Sequence, residues 1–406
     1  MARRALIVGG SLGGLFAANL LHRAGWDVLV LERVGEALSG RGAGIVTHPE
    51  LFDCLRAGGV TVDATIGVSV PGRVTLARDG SVAQTSDLPQ VLTAWGRLYH
   101  LLKAALPPTL YRFGANLRQV TQDESGVTAH LTDGSTERAD LLVGADGIRS
   151  TVRSQYMPEA KPVYAGYIAW RGLTDEAALS PATHAALFER FAFCLPPGEQ
   201  MLGYPVAGLK DAVAPGRRRF NFVWYRPADE ATILPRMLTD ETGRCHMEGI
   251  PPGLIRADLL AEMHQAADDV LAPQFAEVVH KATQPFFQPI FDLEVPSMAA
   301  GRVAILGDAA FVARPHPGMG VTKAGGDAYA LMRALQRRDD VAAALKSFDA
   351  ERRRIGAFLV DHARRLGAYM QAQQKTPEER AMAERYRSVA AVMRETAVAP
   401  PYPASA

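Results

Sequence analysis

Ala5-Leu6-Ile7-Val8-Gly9-Gly10-Ser11-Leu12-Gly13-Gly14 is the stretch from which the architecture of this chain can be read. Four apolar residues in a row fit a strand buried on both faces, and the glycines then break it. Residues 15–24 repeat apolar side chains at helical spacing up to Gly25, and a second apolar run, 27–31, ends at Glu32. Strand, glycine turn, helix and strand make a βαβ unit. Its helix N-terminus offers unpaired N–H groups and a partial positive charge, which suit a phosphate. The spacing departs from G-x-G-x-x-G at one place, because Ser11 takes the second glycine position; a side chain that small still admits a pyrophosphate. Gly9, Ser11, Leu12 and Gly14 are therefore candidate diphosphate contacts. Glu32, followed by Arg33, stands where an acid grips an adenosine ribose. The alternative is a glycine-rich turn that holds no nucleotide.

Two further stretches repeat the strand–loop–helix design. Residues 302–306 read as a buried strand, Gly307-Asp308 turns the chain, and the loop Arg314-Pro315-His316-Pro317-Gly318-Met319-Gly320 delivers the N-terminus of a helix over 321–336. An acid at that strand exit does not suit an anion, so Asp308 is expected to accept hydrogen bonds from the hydroxyls of a bound polyol. A flavin combines both needs: a ribityl chain for Asp308 and a negatively charged ring edge for the helix end at Gly318, Met319 and Gly320. The third stretch follows a strand over 138–143 and reads Asp146-Gly147-Ile148-Arg149-Ser150-Thr151-Val152-Arg153. Three such sites point to one long cofactor. Arg41, in the glycine-rich run 39–45, and Arg97, near the start of a helix over 95–106, are further phosphate or flavin candidates.

The Gly9–Gly14 fingerprint with Glu32, the Asp146-Gly147-x-x-Ser150-x-x-Arg153 motif and Gly307-Asp308-Ala309-Ala310 together resemble the three signatures of the FAD-dependent aromatic hydroxylases, the single-component flavoprotein monooxygenases similar to p-hydroxybenzoate hydroxylase. Residues 39–51, 164–172, 220–225 and 314–316 resemble the hydroxypyridine-hydroxylating members. The resemblance implies non-covalent FAD, NADH or NADPH as reductant, and O2. It also implies hydroxylation of a small electron-rich aromatic or N-heteroaromatic ring, of hydroxypyridine or phenol type, through a C4a-hydroperoxyflavin. It carries Gly9, Ser11 and Gly14 to the FAD diphosphate, Glu32 to the ribose, Arg97 and Asp308 to the flavin side, and Asp146 to a motif serving FAD and NAD(P)H. Two departures stand out: Phe311 occupies the position of a common His, and Thr322-Lys323 replaces a usual Asn. They keep open a catalytically silent FAD-binding or ligand-sensing protein. A flavin halogenase is the other alternative, although no Trp-x-Trp-x-Ile-Pro segment occurs.

The expected fold is α/β: a Rossmann-like FAD-binding domain in three layers (ββα), an inserted antiparallel-sheet substrate domain and C-terminal helices. The FAD-binding segments are expected at 1–70, 96–160 and 286–340, the substrate segments at 71–95 and 161–285, and the C-terminal helices and tail at 341–406. Alternating runs at 164–171, 201–206 and 219–225 read as strands whose aromatics could flank a planar ring. Tyr204, Asn221, Trp224 and Tyr225 are candidates there, although strand aromatics ordinarily serve packing. His316, between two prolines in the flavin loop, and His48 are candidate acid–base groups because imidazole titrates near neutral pH.

The 406 residues are 48% hydrophobic with net charge +1, enough for two linked cores and without the electrostatic footprint of a nucleic-acid partner. The run Arg352-Arg353-Arg354 reads as a solvated helix face. Cys54, Cys194 and Cys245 are scattered and lack metal-ligand spacing, so no metal is expected and the thiols suit a reducing cytoplasm. No stretch reads as a signal peptide or a membrane span. The Ala-rich helical pattern from 319 to 394 breaks near Arg338-Asp339-Asp340 and at Pro377; it suits a homodimer interface, and 399–406 reads as a loose tail.

Overall fold

A computed structural model describes residues 3–38, 44–247 and 249–402. The first apolar run becomes the strand Arg4–Val8, buried from Ala5 onward, within a six-stranded sheet. Across that sheet the order is Ala299–Ala300, Val303–Ile305, Leu141–Gly144, Arg4–Val8, Asp27–Leu31 and Tyr111–Arg112. Neighbours are parallel except for the edge pair Ala299–Ala300 with Val303–Ile305. Val8 lies beside Leu31 and Gly144, and Gly144 beside Ile305. The three motif-bearing loops therefore leave the sheet side by side, at the carboxyl ends of its strands, where open α/β sheets bind ligands.

The helices Leu12–Arg23 and Gly320–Arg337 pack against each other over this sheet. A three-stranded antiparallel sheet, Leu117–Asp123, Gly126–Leu131 and Thr136–Ala139, completes the α/β layering, with Val127, Ala129 and Leu131 turned inward in strict alternation. The sequence pattern at 138–143 suggests one strand. The structure divides it at Asp140, whose carboxylate accepts the Arg4 N–H at 2.8 Å, so the chain passes from the small sheet into the large one.

The middle of the chain forms a seven-stranded sheet in the order Phe286–Asp292, Val163–Asp175, Arg219–Pro227, Gln200–Val206, Arg190–Cys194, Gly72–Leu76, Val82–Ser86. It is antiparallel except where Arg190–Cys194 runs parallel to Gly72–Leu76. Period-two alternation sorts its side chains. Ala192, Cys194, Phe222 and Trp224 belong to one core, covered by the helices Ala257–Val270 and Pro273–His280; Phe191, Phe193, Val223 and Tyr225 belong to the other. The sheet extends past the expected limit at residue 285, because Trp170 pairs with Phe287 and Val163 with Asp292. Among the described residues no helix is long and apolar enough to cross a membrane.

Candidate functional site

A cavity of about 540 Å³ runs from the Gly9 turn, along the sheet edge, to the aromatic face of the seven-stranded sheet. Gly9, Ser11, Leu12, Glu32, Arg33, Asp146, Asp308, Gly318 and Gly320 border it, as do His316, Tyr204 and Tyr225. Arg41 lies outside the described residues. Gly14, Met319, Arg97 and His48 do not border the cavity, and each has a physical reason.

A Cβ at Gly14 would sit 1.8 Å from the Gly9 carbonyl oxygen, so this glycine lets the helix pack against the turn and does not line the cavity. Met319 is buried at the start of its helix, with its carbonyl accepting the Lys323 N–H at 2.7 Å. The Arg97 guanidinium turns away, donating to Asp211 at 3.1 Å and to Thr65 at 2.8 Å. His48 lies behind Gly318, buried, with Nε2 lacking a partner, and burial lowers its pKa. Trp224 belongs to the far face of the sheet, where its Nε1 donates to Glu199 at 2.7 Å. Asn221 accepts the Gly44 N–H at 2.8 Å; a Cβ at Gly44 would lie 2.5 Å from the Tyr204 ring, which explains one glycine of the 39–45 run.

FAD fits the polar groups along the cavity. Asp146 turns Oδ2 to the N–H groups of Thr151 and Val152, at 2.7 and 3.2 Å, and leaves Oδ1 buried without a donor. Asp308 is enclosed by the protein but open to the cavity, and its carboxylate accepts no hydrogen bond from any described residue. Burial raises its pKa against the opposing charge of Lys323. Two acceptors that lack donors suit a polyol. At either end of the cavity a helix begins without a side-chain cap, at Ser11 and at Met319, leaving N–H groups free for an anion. Glu32 is already engaged, accepting the Gly10 N–H at 2.7 Å and the Val34 N–H at 2.9 Å, so it shapes the glycine turn while its remaining lone pairs border the cavity.

The loops are fixed from behind by residues whose structural role the sequence does not show: Arg153 and Lys323 stand in the motifs without one, and Asp327 is not singled out. Arg153 donates to the carbonyls of Ile148, Ala160 and Ala309, tying the Asp146 loop to the Gly307 turn. Asp327 accepts from the Gly307 N–H at 3.0 Å, from Lys323 at 3.2 Å and from Arg352 at 2.8 Å, and Lys323 also donates to the Gly307 carbonyl at 2.9 Å. Arg352 is thus buried, contrary to the expected solvated face. The i, i+4 spacing of Lys323 and Asp327 was the available signal. Both family departures are packing residues: Lys323 belongs to this buried cluster, and Phe311 fills the space left by Gly356, where a Cβ would lie 2.5 Å from its ring. Neither reaches the cavity.

At the sheet end, Phe191, Tyr204, Tyr225 and His316 form aromatic walls, with Arg171 among them. Among the described residues, no group hydrogen-bonds the hydroxyls of Tyr204 and Tyr225, and no carboxylate pairs with Arg171. Burial raises both tyrosine pKa values, that of Tyr225 to about 12, so both stay protonated at neutral pH. His316 Nε2 lies 2.7 Å from the Tyr167 hydroxyl. Burial and the nearby Arg314 charge push the His316 pKa down to about 3. Its expected titration near neutrality therefore does not occur: His316 is a neutral, weakly basic ring. Arg314 is held by Asp292, with three contacts of 2.9–3.1 Å, and lies over the Tyr167 ring.

A dinucleotide-type sheet whose cavity ends between aromatic walls defines a flavoprotein acting on a small ring. A family profile described as FAD binding domain-like matches residues 164–292. The 2,6-dihydroxypyridine 3-monooxygenase of Paenarthrobacter nicotinovorans is 31% identical over 375 residues, 91% of each chain. The 3-amino-4-hydroxybenzoate 2-monooxygenase of Streptomyces cremeus is 30% identical, over 82% of this chain and 79% of that one. The solved 2,6-dihydroxypyridine-3-hydroxylase of Arthrobacter nicotinovorans superposes with a TM-score of 0.85 at 29% identity, covering 93% of this chain and 96% of that one. The chain belongs to the FAD-dependent aromatic hydroxylases.

Replacing Asp308 with Asn keeps an acceptor but removes its charge. The expected result is roughly tenfold weaker FAD binding, the difference between a charge-assisted and a neutral hydrogen bond. Titration of apoprotein with FAD measures it, and unchanged affinity would remove Asp308 from the site.

Proposed function

We propose that this enzyme hydroxylates a small aromatic or N-heteroaromatic ring that already bears a hydroxyl group, of the hydroxypyridine or phenol type, with NAD(P)H as reductant and O2 as oxidant. One observation carries the reading: the hydroxyls of Tyr204 and Tyr225 and the guanidinium of Arg171, without hydrogen-bond or ion-pair partners among the described residues, lie between aromatic walls at the inner end of the cofactor cavity. The relatives support it, since the names of both describe hydroxyl-bearing rings.

FAD held in this cavity would supply the redox chemistry, using the two electrons of NAD(P)H so that one atom of O2 goes to the ring and the other leaves as water. The chain's own residues must activate and hold the acceptor. An electron-rich ring reacts faster once its hydroxyl is ionised, and a nearby cation favours the ionised form. Arg171 provides that cation. Tyr204 and Tyr225, fixed in the protonated state, donate hydrogen bonds to a ring oxygen and cannot serve as bases at neutral pH. Neutral His316, hydrogen-bonded to the Tyr167 hydroxyl, positions the wall beside Tyr225, whose ring centroid is 4.6 Å away.

The test is oxidation of NADH or NADPH by the FAD-loaded enzyme with 2,6-dihydroxypyridine and related phenols, read by mass spectrometry for products heavier by one oxygen. Peroxide without product from every ring offered would defeat the proposal. Arg171→Met is expected to raise KM for the productive ring roughly 10- to 30-fold, the scale of one charge-assisted hydrogen bond, with a smaller loss in kcat.

A further inference from the structure

Arg73 is completely buried on the strand Gly72–Leu76, and no carboxylate among the described residues pairs with it. A buried cation needs compensation, and here it comes from neutral oxygens alone. Nε and Nη2 donate to Gln90 Oε1 at 3.1 and 2.6 Å. Nη1 donates to the carbonyls of Met393 and Thr396 at 2.9 and 2.7 Å, and Nη2 to that of Ala397 at 3.3 Å. All the N–H donors of a guanidinium are accounted for by these contacts. Three of the acceptors are main-chain carbonyls at the C-terminal end of the helix Val389–Glu395 and just beyond it, where the helix dipole is negative.

The same segment is fastened from its other side. The Ala397 N–H donates to the His316 carbonyl at 2.7 Å, Gln90 Nε2 donates to the Ala397 carbonyl at 2.7 Å, and Ala397 adopts φ = 57°, an uncommon value for a residue with a side chain. Thr396 and Ala397 line the cavity alongside Phe191 and His316. Residues 393–397 thus cross from the substrate sheet to the flavin loop as one wall of the chamber.

We propose that residues 393–397 are a strap that closes the substrate chamber against water, and that Arg73 is the positioning residue that latches it. Oxygen transfer in this enzyme class requires a dry chamber, because water reaching the activated oxygen diverts it to peroxide. The proposal goes beyond the hydroxylase reading and rests on it for only one of its readouts.

The experiment uses the full chain loaded with FAD. Arg73→Met removes the latch. Ala397→Pro attacks the strap directly, because proline cannot take a positive φ and has no N–H for His316; if Arg73→Met does not fold, Ala397→Pro decides the strap and the milder Arg73→Lys, which keeps the charge but loses the forked contacts, decides the latch. Three readouts are taken: hydrogen exchange across 388–400, iodide quenching of bound-flavin fluorescence, and product formed per NADH consumed. In each variant, exchange at 393–397 is expected to rise at least tenfold, with FAD retained, iodide access increased and peroxide replacing product. Faster exchange with unchanged iodide access and unchanged coupling would show a tail that closes nothing. Unchanged exchange in Arg73→Met would show that Arg73 is not the latch. If the parent enzyme makes no product from any ring, the hydroxylase reading fails while exchange and quenching still decide the strap.

Discussion

Gly14→Val is expected to yield a folded but colourless protein, with FAD affinity reduced at least a hundredfold. The first atom of any side chain at this position would lie 1.8 Å from the Gly9 carbonyl oxygen, a backbone atom with no rotamer to change. The turn cannot retreat, because Gly9 has φ = 100° and lies against the next loop: a Cβ there would sit 2.4 Å from the Ala145 carbonyl oxygen. Relief must come from the helix Leu12–Arg23 moving off the turn, which carries its uncapped N–H groups away from the cavity. Overpacking costs about 1–3 kcal/mol where side chains absorb it and more where only backbone can. About 2.7 kcal/mol corresponds to the hundredfold loss. Gly253→Ala is the control, since a Cβ there meets nothing within 4 Å. A Gly14→Val protein that purifies yellow at normal stoichiometry would remove the helix N-terminus from the cofactor site.

This case shows which parts of the molecule were legible in its sequence. The fold was readable because strand and helix periods alternate cleanly around Gly9, Asp146 and Gly307, and each breaker sits at a strand exit. The sequence also points to Gly14, but for ligand contact, whereas the geometry makes it a packing contact. The strand Phe286–Asp292 escaped because Pro289 argues against a strand interior; it is tolerated there because this strand forms the sheet edge. Arg97 reads as a flavin contact from its place near a helix start and from the family resemblance, and its partner Asp211, 114 residues away, gives no local signal against that. The pKa of His316 depends on burial and on Arg314 fixed by Asp292, neither of which shows in a Pro-His-Pro triplet. Arg171, the cation of the chamber, looked like one polar residue in a strand. Arg73 gave no signal, since its acceptors are carbonyls at the far end of the chain.

Asp327→Asn is expected to cost about 3–5 kcal/mol of stability, the range for removing one partner of a buried ion pair. Its carboxylate is 2% exposed and faces two buried cations, Lys323 and Arg352. Asparagine can still accept the Gly307 N–H, so the loss isolates the charge. Lys323→Met should cost less, because Asp327 keeps Arg352 as its partner; that ordering separates a charge hub from simple loss of packing. Acid supplies a second check. Burial alone would raise the Asp327 pKa, but Lys323 and Arg352 outweigh it and hold the carboxyl below its ordinary value of 3.8. A group depressed in the folded state contributes stability above its unfolded pKa and loses it as pH falls through the folded one. The gap between parent and Asp327→Asn in urea unfolding should therefore be full at neutral pH and narrow below about pH 4. The hub also holds the Gly307 turn from behind, with Asp308 one residue on. FAD should accordingly leave the asparagine variant at lower temperature than the parent, and equal stability with equal FAD retention would mean that the turn is held by its strand alone.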